Sequence, residues 1–206
     1  MTMTPPVQAL LFDLGGVVLD IDFKRAFSHW QPVSRLSLAE IQAAFQFDAA
    51  YQQHERGDID AAQYFAHLCS MLQLQPGHAR VAEGWNAIFT GVIGETLATV
   101  QSARRYWPCY AFTNSNSAHQ AAWSSMFPEL AQTFDRIFVS SDMGCRKPEQ
   151  QAFEHIAREI GVAAGAILFF DDLAENVDGA ARAGLQTVHV RGPDDVRRAL
   201  ARITPA

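Results

Sequence analysis

The chain has 206 residues, 49% hydrophobic and 18% charged, with a formal net charge of −6. That composition suits one or two globular domains, and the absence of any basic run argues against nucleic acid as a partner. No apolar stretch reaches the roughly 18–20 residues of a membrane span. Met1–Gln8 (MTMTPPVQ) has neither the basic region nor the cleavage site of a signal peptide. Three well-separated cysteines, Cys69, Cys109 and Cys145, and seven scattered histidines point to a reduced, cytoplasmic protein without a zinc site.

Val7–Phe12 is short and continuously apolar, the pattern of a fully buried strand. From Asp22 to about Tyr106 the periodicity is helical and predicts no strand. Ser37 is a good cap for one helix running to Gln53, with Leu38, Ile41, Phe45 and Ala49 on a common face. Asp58–Leu74 repeats the pattern with Ile59, Ala62, Phe65, Leu68 and Leu72. Pro76–Gly77 ends that piece, and His78–Gly91 and Gly94–Trp107 read as two further helices. After Pro108 the rhythm changes to short apolar runs, CYAFTN, RIFVSS, AILFFDD and TVHV. Helical segments near Ala118–Met126, Glu149–Ile160, Asn176–Ala183 and Asp194–Arg202 alternate with them. Strands alternating with helices predict a parallel sheet covered on both faces. The expected architecture is a wound α/β core, residues 1–20 and 95–206, with a helical cap, residues 21–94, inserted after the first strand.

Open parallel sheets bind ligands beyond the carboxyl ends of their strands. The first strand delivers Asp13 to that edge, CYAFTN delivers Thr113 and Asn114, and the loop after RIFVSS delivers Lys147. AILFFDD delivers Asp171 and Asp172, with Asn176 just beyond. Each alone has an ordinary explanation: a turn, a helix cap, a solvated lysine. Together they supply the parts of phosphoryl transfer. A carboxylate can attack phosphorus, and Asp13 with Asp172 can hold the Mg²⁺ needed between two anions. Lys147 and the Thr113 hydroxyl can steady the phosphate oxygens. A response-regulator receiver uses similar parts, but with the acidic pair first and the lysine last, so the order here argues against one.

The segments FDLGGVV, AFTNSN, CRKPEQQAF and FFDDLAENVDGA, in that order, resemble the four motifs of the haloacid dehalogenase superfamily of phosphohydrolases. The resemblance covers essentially the whole chain and implies a Rossmann-like core with a helical cap of the C1 type. DIDFKRAF, QQHERGDI, GWNAIF and GCRKPE are similar to the bacterial branch that contains an α-D-glucose-1-phosphate phosphatase. The resemblance implies Asp13 as nucleophile and direct Mg²⁺ ligand, Gly15 as a ligand through its carbonyl, and Asp172 as the second carboxylate ligand. It further implies that Thr113 and Asn114 contact the phosphoryl group and Lys147 neutralises it, with Asp171 and Asn176 acting from behind or through water. The implied reaction is hydrolysis of a small phosphorylated metabolite, a sugar phosphate such as glucose 1-phosphate, through an aspartyl phosphate.

Gly15 departs from the family pattern, where a second aspartate protonates the leaving group. General acid–base help is worth about 10²–10⁴-fold, roughly 3–5 kcal/mol. That is a minor share of the roughly 28 kcal/mol by which phosphate-monoester hydrolysis can be accelerated. The departure therefore bears on rate and leaving group more than on reaction class. The QQHERGD corner of the cap contributes His54, Glu55 and Arg56, with Gly57 allowing a sharp turn towards the core, and His54 and Glu55 are candidates to bind substrate and to supply the missing proton. GWNAIF adds Trp85 and Asn86 to that corner. Two other functions stay open on these residues. One is a 2-haloacid dehalogenase, which needs no metal; the other is a catalytically impaired binding or regulatory protein.

Overall fold

The computed structural model describes residues 5–77 and 79–205. Met1–Thr4 and His78, which open two of the segments read above, lie outside the described residues. The chain begins with β1 (Ala9–Phe12) and β2 (Leu19–Ile21), then makes α1 (Phe23–Trp30), α2 (Leu38–Ala44), α3 (Ala49–Arg56), α4 (Ala61–Met71) and α5 (Arg80–Asn86). It returns through β3 (Phe89–Val92) and α6 (Gly94–Ala103) to β4 (Cys109–Thr113), α7 (Ser117–Met126) and α8 (Glu129–Thr133). β5 (Arg136–Val139), α9 (Ser140–Met143) and α10 (Gln150–Ile160) follow, then β6 (Ile167–Asp171), α11 (Ala174–Arg182), β7 (Gln186–His189) and α12 (Pro193–Ile203).

Five parallel strands form the main sheet in the order β5-β4-β1-β6-β7. β1 lies at its centre, with Leu10 in register with Cys109 on one side and Leu168 on the other. Every residue of β1 and β6 is buried, which is why both are unbroken apolar runs. Successive side chains point to opposite faces, and they divide between two cores. Leu10, Phe12, Leu168 and Phe170 join one that reaches Val100 of α6 and Leu200 of α12. Ala9, Leu11, Ile167 and Phe169 join another with Phe153 of α10 and Ala180 of α11. The first core continues into the helical block as Trp30, Tyr64 and Trp85. Winding runs from β1 out to β5 and then crosses to β6 and β7, so it reverses at the carboxyl end of β1, where such sheets open a crevice.

Three expectations are corrected. The stretch from Asp22 to Tyr106 contains a strand, β3, which pairs antiparallel with β2 to make a ribbon where the helical block joins the core. The helix read over His78–Gly91 therefore stops at Asn86. Ser37–Gln53 is not one helix but two. α2 ends at Phe45, whose backbone is extended and whose ring packs on Phe23, Phe27 and Trp30. Asp48 then caps α3 by accepting from the Tyr51 N–H at 2.9 Å. Burying the Phe45 ring and making a new cap outweigh one continuous helical face.

Candidate active site

At the carboxyl edge of the sheet, Asp13 follows β1, Thr113 ends β4 and Asp171 ends β6. Lys147 comes from the turn between α9 and α10 and is fully buried, at 1% exposure. Its ammonium donates to Asp13 Oδ1 at 2.8 Å, Asp171 Oδ2 at 2.8 Å and the Phe112 carbonyl at 3.0 Å. Those three acceptors use all three protons of a lysine. Asp13 Oδ1 also accepts from the Leu14 N–H at 2.7 Å. Both bonds fall on one oxygen and leave Oδ2 available. Asp171 accepts from the Leu173 N–H and, on both oxygens, from Asn176 Nδ2. Asp172 stands half-buried next to it, directly against Gly16. A Cβ at Gly16 would lie 2.3 Å from Asp172 Oδ2.

Carboxylate oxygens of Asp13, Asp171 and Asp172 lie within 4.8 Å of one another. Burial pushes the Asp13 carboxyl up to about 8, against the attraction of Lys147 and with the repulsion of Asp171 added. Burial and Asp171 also raise Asp172. Three carboxylates around one lysine leave an excess of negative charge that a divalent cation would offset. Asn176 Oδ1 is a buried acceptor without a hydrogen-bond partner among the described residues, and its residue lines the same cavity as Asp13 and Asp172. Hard oxygen donors in this number fit Mg²⁺ with part of its water shell. Asp13 and Asp172 are the carboxylates free to ligate it, because Asp171 is already saturated by Lys147, Asn176 and Leu173.

A cavity of about 330 Å³ opens over this cluster between the sheet edge and the helical block. Asp13, Gly15, Thr113, Asn114, Lys147, Asp172 and Asn176 all line it, and so does Glu55 from α3. Three sequence candidates sit differently than expected. The Asn114 side chain donates to the Lys147 carbonyl at 3.0 Å and accepts from its N–H at 2.8 Å. Its amide is spent on holding the lysine. His54 does not line the cavity; it is 2% exposed and stacks on Tyr64 at 4.5 Å. Trp85 likewise is a packing residue, stacked on His119 at 4.3 Å.

Sequence reading passed over Arg146, Tyr51, Phe23, Ile21 and Glu175, which line the cavity too. Arg146 Nε donates to Glu55 Oε2 at 2.7 Å, tying α3 to the lysine turn. Arg56 pairs with Glu149 on the other flank of Lys147, its Nε donating at 2.7 Å. Gly57 ends α3 with a positive φ, and a Cβ there would lie 2.6 Å from the Ser141 carbonyl. The available signal was the i, i+4 spacing of Tyr51 and Glu55 on one helix face.

A parallel α/β sheet carrying an aspartate, a buried lysine and an acidic pair at its switch point defines a hydrolase core of Rossmann-like type. The chain belongs to the haloacid dehalogenase-like hydrolases, whose family pattern matches residues 7–184. It is 23% identical over 202 residues to the D-ribitol-5-phosphate phosphatase of Bacteroides thetaiotaomicron, covering 94% of this chain and 97% of that protein. It is 27% identical over 194 residues to the sesquiterpene phosphatase astK of Aspergillus oryzae, covering 91% and 92%. The fold is similar to a HAD family enzyme of Bacteroides thetaiotaomicron solved with magnesium and inorganic phosphate. The TM-score is 0.79 at 23% identity over 90% of this chain and 95% of that one.

Proposed function

We propose that this chain is a Mg²⁺-dependent phosphatase of small phosphorylated metabolites that works through an aspartyl phosphate on Asp13. The observation that carries this reading is the bonding of Asp13. Its Oδ1 is held by Lys147 and the Leu14 N–H while Oδ2 is left to attack. Both similar phosphatases point the same way. Mg²⁺ held by Asp13, Asp172 and the Gly15 carbonyl would supply charge neutralisation and polarise the phosphoryl group. Asp13 Oδ2 forms the new bond to phosphorus as the ester oxygen departs, and water then cleaves the acyl phosphate. Lys147 and the Thr113 hydroxyl oppose the charge on the phosphoryl oxygens. Asp171 and Asn176 hold the lysine and order the site from behind. Residues 21–94 act as the cap that closes the cavity, and three buried free cysteines suit a cytoplasmic location.

A sugar 1-phosphate, with glucose 1-phosphate as the first to try, is the proposed substrate type. With no side chain at Gly15 and His54 packed away from the cavity, the site favours a leaving group that departs with little protonation. An anomeric hydroxyl is more acidic than an ordinary alcohol. Asp13→Asn is expected to keep the fold and lower phosphate release by more than about tenfold, because an amide is a poor nucleophile and a weak metal ligand. A variant that keeps a tenth of the wild-type rate sinks the nucleophile assignment. Glucose 1-phosphate is expected to be hydrolysed faster than glucose 6-phosphate; equal kcat/KM values remove the leaving-group argument.

A further inference from the structure

We propose that the pocket selects phosphate esters whose leaving group is uncharged or cationic and rejects those carrying a second anionic group. This rests on the phosphatase reading above and adds the substrate's charge class to it. Only two cations, Lys147 and Arg146, line the cavity among the described residues. Lys147 is committed to Asp13, Asp171 and the Phe112 carbonyl, on the phosphate side. Arg146 donates its Nε to Glu55 at 2.7 Å, so its charge is offset there. Glu55 is only 4% exposed, so its carboxylate sets one negative charge against that one positive charge, and the pair adds no net cation to the cavity.

Beyond Asp13 and Asp172, the charged side chains that line the cavity around the lysine are Glu55 and Glu175 against the single Arg146. α11 begins at Ala174, and its N-terminus would ordinarily favour an anion. Glu175 in its first turn opposes that field. A neutral polyol or an ammonium group enters such a pocket without penalty, whereas a carboxylate or second phosphate meets uncompensated repulsion. This is selection by an adverse element rather than by an added contact.

Three benzyl phosphates with para hydroxymethyl, aminomethyl or carboxylate groups separate charge from leaving-group acidity, because the substituent is remote from the ester oxygen. With Mg²⁺, the carboxylate is expected to have a kcat/KM at least about tenfold below the hydroxymethyl ester, and the aminomethyl ester to match or exceed it. Glu175→Lys is expected to narrow the carboxylate gap by about threefold or more, with the hydroxymethyl ester as the reference within each variant. Glu175 is exposed, so the exchange leaves the core intact, and Glu175→Gln should fall between. Equal rates for the carboxylate and hydroxymethyl esters in the wild type overturn the proposal, as does a gap that Glu175→Lys leaves unchanged. Hydrolysis of none of the three is a different result: it overturns the phosphatase reading, and the selectivity falls with it.

Discussion

Gly16 and Asp172 form a matched pair. Gly16 has a φ of 74°, a left-handed conformation that costs a side-chain-bearing residue about 1–2 kcal/mol. Its missing Cβ is also what lets the Asp172 carboxyl close on the site. Gly16→Ala is therefore expected to lose about 1–2 kcal/mol in urea unfolding and most of the activity by displacing Asp172. Gly15→Ala should be mild in stability, since its Cβ would meet only the flexible end of Ile21 at 3.1 Å. The two neighbouring aspartates separate in the same way. Asp172→Asn removes one of several crowded carboxylates, so the metal-free protein should unfold no more easily while its Mg²⁺ requirement rises steeply. Asp171→Ala strips a buried counter-ion from Lys147 and should cost about 3–5 kcal/mol. Thermal unfolding with and without Mg²⁺ distinguishes them, and equal stability losses in both would refute the division of roles.

Among the elements, α5 of the helical block and α7 of the core are tied together through His119 and the α7 cap Asn116, to which Trp85 Nε1 donates at 3.4 Å. His119 Nε2 meets the Trp85 carbonyl at 2.9 Å, so that nitrogen carries the proton and donates. Nδ1 lies 3.3 Å from Asn116 Nδ2, whose partner oxygen caps α7. Burial pushes His119 down from 6.5 to about 3. The folded protein therefore refuses a proton that the unfolded chain accepts. Stability is full above pH 6.5 and is lost as pH falls from there toward about 3. By linkage the loss reaches about 2 kcal/mol at about pH 5. His54, pushed down to about 4 by burial, acts in the same direction. Urea unfolding at neutral and mildly acidic pH should show this loss, and His119→Gln should flatten it. An unchanged slope in the variant would mean that other groups govern the acid limb.

For the molecule as a whole, metal binding should be folding energy, because the ligands converge only in the native state. Mg²⁺ at about a hundred times its dissociation constant should add about 2.7 kcal/mol, roughly 5–10 °C in Tm for a chain of this size. Asp172→Asn should abolish the rise, and a wild-type Tm indifferent to Mg²⁺ counts against the metal site. The sequence by itself determined the sheet and the edge where the site lies. Continuous apolar runs end in Asp13, Thr113 and Asp171, and burial on both faces produces such runs locally. Capping and periodicity located most helices for the same reason. Only the tertiary structure decided how charges pair. Arg146 meets Glu55 across 91 positions and Arg56 meets Glu149 across 93. It alone split the helix at Phe45, raised the β2–β3 ribbon, turned Asn114 onto Lys147 and took His54 out of the cavity. Each of those outcomes depends on what a distant segment presents for packing or pairing, and no local pattern records that.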